Sequence, residues 1–211
     1  MVQIRNRTAR PGRWSGGLLA AGLLALSSPA AAGTSEDPDW PCVQRKVPEI
    51  SAGMVWAGPP VEALKPEWQQ DAEVSRLAGN LAARRTEIEA AKTAIADFAT
   101  GLGAERNQRL TLLFAATLDI VNKERASIIS GIGRFTRKQR ALAERLGRLA
   151  GELKALPAAE KGKREELEQQ RLWDTRIYED RERSLTYICE QPVLLEQRVF
   201  ALAREIMGHL E

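Results

Sequence analysis

The chain has 211 residues, 44% hydrophobic, 28% charged and only 5% aromatic, with 31 Lys and Arg against 28 Asp and Glu. The basic excess, and the pI near 9.0, come from the first 32 residues, which hold four Arg and no acid; the remaining 179 carry 27 basic and 28 acidic residues, a net charge of −1. That balance argues against nucleic-acid binding, which needs a clustered basic footprint, while the wealth of Ala, Leu, Glu, Arg and Lys favours long helices.

Residues 1–32 read as a secretory signal peptide. Arg5, Arg7, Arg10 and Arg13 make a basic start, Leu18 to Leu26 an apolar block, and Ala30-Ala31-Ala32 a small-residue cleavage pattern. The expected cut falls between Ala32 and Gly33. The apolar block is too short to span a bilayer, which takes about 20 residues. A mitochondrial transit peptide would be amphipathic instead. A lipoprotein would place a Cys directly after the apolar block, but the first Cys is Cys42. The arginines are never adjacent, so the twin-arginine route is not indicated. The expected location is the periplasm, with no integral membrane anchor left after cleavage.

Residues 33–65 read as a Pro/Trp-rich extended arm. Pro38, Pro41, Pro48, Pro59 and Pro60 fix φ and remove backbone donors, which excludes regular helix. Trp40, Val43, Val47, Ile50, Met54, Val55 and Trp56 are too apolar for a solvated tail. Trp40, Trp56 and Trp68 are the candidates for packing the arm onto the helices or for contacting a partner.

From residue 66 onward the spacing predicts a single three-helix, coiled-coil-like domain with helices over about 67–101, 105–155 and 158–210. In the first helix Val74, Leu81, Ile88, Ile95 and Leu102 recur every seven residues, with Leu77, Ala91 and Phe98 three places later and Arg84 as one interruption. Gly101 and Gly103 supply a stop. The second helix carries Leu110, Leu113, Phe114, Leu118 and Val121, then Ile128, Ile129, Ile132 and Phe135, then Leu142, Leu146, Leu149 and Leu153. Pro157 ends it. The third carries Leu167, Trp173, Ile177, Leu185, Ile188, Leu195, Val199, Leu202 and Ile206, with Pro192 in its interior, where it should kink the helix by removing one intrahelical bond. Short connections make neighbours antiparallel. The fold class that follows is all-α: a long antiparallel helical hairpin, coiled-coil-like, with a shorter third helix packed on one half and a non-helical N-terminal arm.

Two cysteines follow the leader, Cys42 and Cys189, 147 positions apart. In an oxidising compartment an isolated pair most simply forms one disulfide. The hairpin register puts Cys189 level with about Ser127, within reach of the arm. The rival reading is a redox-active pair, although such pairs usually take the form C-x-x-C.

The shorter helix leaves a bare two-helix tip over roughly 136–178, dense in mixed charge that suits a solvated face or a docking prong. Gly131 and Gly133 just before it suggest either a tight crossing beneath the arm or a local break, after which Thr136 and Gln139 have the spacing of a capping box. The five residues Phe135-Thr136-Arg137-Lys138-Gln139 also resemble the L-T-x-x-Q motif of small periplasmic helical chaperones and metal-stress sensors, with Phe in place of Leu. The hairpin architecture is similar to the α-helical hairpins of periplasmic adaptor proteins.

No nucleophile elbow, phosphate loop or zinc motif occurs. His209 is the only histidine, so the common general base is missing, and the Cys and His supply is too small for a zinc site. The sequence therefore predicts no catalytic residues, no cofactor and no metal. The leading expectation is an exported, non-enzymatic interaction or scaffold protein clamped by one disulfide, contacting a protein partner or itself. The alternatives are a holdase-like chaperone or stress protein, and a redox or enzyme accessory protein using the cysteine pair.

Overall fold

The computed structural model describes residues 37–61, Leu64 and 67–211. The expected signal peptide and its expected cut at Ala32–Gly33 lie outside the described residues. The rest is an all-α protein built on one long antiparallel hairpin. Its members are α4 (Arg106–Ala155, 50 residues) and α5 (Lys161–Gly208, 48 residues), each more than 70 Å long at about 1.5 Å per residue. The turn at Leu156–Glu160 is closed by Arg164, whose guanidinium donates to the carbonyls of Leu153 (3.4 Å) and Leu156 (3.0 Å). Those carbonyls have no partner within their own helix.

The predicted first helix is two helices. After a one-turn 3-10 helix (Trp68–Gln70), α2 runs over Ala72–Ala82 and α3 over Ile88–Thr100. Asp71 starts α2 by accepting from the amides of Glu73 (3.1 Å) and Val74 (3.0 Å), as an N-cap does. The break falls where Arg84 interrupts the heptad. Its guanidinium pairs with Glu124 at 3.0 Å and donates to the Gln191 side chain, so it bridges to both long helices instead of entering a seam.

The break also reverses the chain. Asp71 pairs with Arg109 and Arg84 with Glu124, so α2 runs parallel to α4. Then α3 returns alongside α5 to the tight turn at Gly101–Glu105, where Gly103 has φ +50°, a conformation glycine adopts without a Cβ penalty. The seven-residue spacing persists across the break because each half buries its own face: Val74, Leu81 and Ile95 are fully buried. The base of the molecule is thus a four-helix section, and the core sits there, around Leu81, Ile95, Leu110, Phe114, Leu195, Leu202 and Ile206.

The arm is largely extended, with one short turn of helix, α1 (Ala52–Val55). It runs down α4 from the level of Arg140 to that of Phe114. Beneath it α4 is unbroken through Gly131 and Gly133. Of the two alternatives there, the local break with a restart at Thr136 does not occur. Thr136 lies mid-helix and its hydroxyl donates back to the Ile132 carbonyl (3.0 Å). Gly133 marks a crossing instead: a Cβ there would lie 3.9 Å from the Asp39 side chain, whereas one on Gly131 would meet only Arg134 of its own helix. Likewise α5 is continuous through the buried Pro192.

Candidate functional site

Two regions stand out: the clamp that fixes the arm, and the two-helix projection beyond it.

At the clamp, Cys42 and Cys189 are joined by a disulfide, with their Cα atoms 5.5 Å apart. The register is the expected one, because Trp40 and Cys42 pack on Ile129 and Ile132, with Ile128, Ile188 and Cys189 at the edge. Trp40 is buried and its indole donates to the Gln44 carbonyl at 2.7 Å. The Gln44 amide in turn donates to the Cys189 carbonyl. Lower down, Asn122 holds the Ile50 backbone from both sides, at 2.9 and 3.0 Å. Arg125 is buried between arm and hairpin, donating to the carbonyls of Val47 and Pro192 with Glu196 3.8 Å away. Burial pushes its pKa down, and the Glu196 carboxylate opposes that shift.

The other tryptophans pack as well. Trp56 stacks on Phe114 with ring centroids 4.1 Å apart and planes 4° from parallel, and donates to the Pro59 carbonyl. Trp68 is buried against the base core with Lys123 over its ring at 5.9 Å. All three tryptophans named from the sequence are therefore engaged within the chain. At the upper end Asp39 accepts from Arg137 (2.5 Å) and Arg140 (2.9 Å), and the Arg137 hydrogen bond holds its carboxyl below the usual range.

The projection corrects one reading of the sequence. Trp173 was expected on the apolar seam of α5 and is 66% exposed, with Leu172 and Ile177 exposed beside it. The true seam follows the strict seven-residue frame Leu167, Asp174, Arg181, Ile188, Leu195 and Leu202. Two of its members are charged, which disguises it. Asp174 is only 3% exposed and faces Arg145 of α4 at 2.8 Å. Arg181 lies over the Phe135 ring at 4.6 Å and donates to Gln139 (3.0 Å) and to the Phe135 carbonyl (3.1 Å). Gln139 donates across the hairpin to the Tyr178 carbonyl at 2.9 Å. The residues that resemble the chaperone motif thus supply a polar layer joining the two helices. The signal that reveals this layer is the seven-residue spacing itself, counted without regard to residue type.

The exposed stripe that results has apolar side chains on a two-helix stalk. On the α4 side of the tip, residues 136–156 hold Arg137, Lys138, Arg140, Arg145, Arg148 and Lys154 with Glu144 and Glu152; Arg137 and Arg140 are paired with Asp39 and Arg145 with Asp174. Among the described residues no group of three or more His, Cys, Asp or Glu is placed to hold a metal ion, and no helix is long and apolar enough to cross a membrane. No protein-family model, curated protein or solved structure matches this chain.

Proposed function

We propose that the chain is an exported, periplasmic, non-enzymatic scaffold protein that docks a protein partner on its projecting hairpin. The observation that carries this is the stripe of Leu172, Trp173 and Ile177, three large apolar side chains left in solvent on α5 of the projection. A large exposed aromatic flanked by apolar side chains serves as a binding anchor. The disulfide suits the oxidising compartment to which the leader would send the chain. Two measurements test the reading. N-terminal sequencing of the exported protein is expected to begin at Gly33; retention of the leader in the cytoplasm would refute export. A partner captured by the full chain is expected to be lost on Trp173→Ala with Ile177→Ser. Capture that ignores both changes removes the docking role from this stripe.

A holdase-like chaperone is the second reading, favoured by the same exposed side chains, which suit transient capture of unfolded chains. Suppression of aggregation of a denatured client, abolished by the same two changes, distinguishes it from a dedicated scaffold.

A further inference from the structure

A second surface, beside the clamp, is self-complementary. Beside the disulfide the arm and α5 wall a groove of about 510 Å³, floored by Cys42 and Cys189 and lined on the helix side by Leu185, Thr186, Val193 and Leu194. On its rim stands Val43, an apolar side chain fully exposed to solvent although its neighbours in the chain, Cys42 and Gln44, are held down. Tyr187 and Leu194, seven residues apart on α5, are exposed on the same side. A knob and a hollow on one patch are what an isologous two-fold interface requires.

We infer that this face pairs two copies of the chain, Val43 of each entering the other's groove. The charges agree. Arg45, on the arm two residues beyond Val43, and Glu190 on the helix wall carry opposite signs, are exposed, and make no ion pair among the described residues. The geometry also fixes the direction of pairing. Arm and α5 lie side by side, so the arm of one copy meets α5 of the other only if the two-fold axis runs along the helices between them. Such an axis keeps residues at the same level, which brings Arg45 of each copy opposite Glu190 of its mate. It also makes the dimer parallel, with both projections at the same end. Pairing of this kind follows mass action, so the dimer fraction rises with concentration. This inference does not rest on the docking role of the projection: Trp173, two seven-residue steps before Tyr187, lies on the same side of α5 but nearer the tip, beyond the clamp.

The test uses the oxidised, leader-processed protein in sedimentation equilibrium across a concentration series. The mass is expected to rise toward twice that of one chain. Val43→Glu is expected to hold it at one chain with an unchanged melting temperature, since that side chain has no contacts to lose. Arg45→Glu and Glu190→Arg are each expected to weaken the dimer, and the double change to restore it. Spin labels on a non-natural residue at position 159 are expected to lie close together. A single-chain mass at every concentration, a Val43→Glu protein that still dimerises, or tips at opposite ends would each overturn the inference. Loss of the dimer on Trp173→Ala alone would do so too, by moving the interface to the projection.

Discussion

The base and the projection are made from the same two helices, yet they are stabilised differently. In the base, α4 and α5 have α2, α3 and the arm on their flanks, so each turn finds apolar partners in several directions. Phe114, Leu113, Ala116 and Val121 of α4 are all essentially inaccessible. In the projection each helix has one neighbour. Of the described residues between 136 and 178 only Leu149, Leu167 and Asp174 are buried, and one of those is a carboxylate. A two-stranded seam cannot remove much surface from water, so specificity there is carried by the Asp174–Arg145 and Gln139–Arg181 crossings. Charged seam residues of this kind are best attested as setting register.

The sharpest way to break this contrast is to cut cavities in both regions. Phe114→Ala in the base should cost about 3–5 kcal/mol, whereas Leu149→Ala in the projection, whose surroundings can collapse onto it, should cost about 2 kcal/mol. Thermal or urea unfolding measures both, and equal losses would mean that the projection is packed as firmly as the base. Next comes the clamp. Replacing Cys42 and Cys189 with Ser removes a link across 147 positions, worth roughly 5 kcal/mol in the chain-entropy model. Hydrogen exchange should then quicken in the arm and around Ile129 while the tip beyond Leu142 is unchanged.

A smaller effect belongs to the start of α2. Burial pushes the Asp71 carboxyl up, but the Val74 amide and the Arg109 guanidinium outweigh it and hold the group below its ordinary 3.8. A depressed folded pKa means that the contribution is complete above the ordinary value and is lost as the pH falls through the folded one. Asp71→Ala should therefore cost about 1–2 kcal/mol at neutral pH, and the gap from the parent protein should narrow only in strong acid. Least of all should stability respond to Trp173→Ala, within about 0.5 kcal/mol as for other exposed positions. A larger loss would show that Trp173 is packed and remove the anchor from the proposed docking stripe.

The hairpin, its lengths and the register of Cys189 against the arm were all legible, because apolar periodicity and two cysteines are long-range signals that survive local detail. The reversal between α2 and α3 was not. A heptad continues through Ala83–Glu87 as though the helix did, and only Arg84 marks the place. The outward position of Trp173 was hidden for the reverse reason: a large aromatic reads as core, and Asp174 beside it reads as surface, whereas the true seam admits the charge because Arg145 meets it. Trp40 and Trp68 are placed by burial against elements far away in sequence, which local patterning does not encode.

The bond between Cys42 and Cys189 has one more consequence, for the chain as a connected object. It turns everything between those residues, including α2, α3, α4 and the whole tip, into a closed covalent ring, with α5 beyond Cys189 hanging from it as a tail. A protease that cut the exposed turn at Pro157 would open the ring without dividing the molecule. The two pieces would stay tethered at the clamp and migrate as one species until a thiol was added, so this exposed turn is one the protein can lose without coming apart.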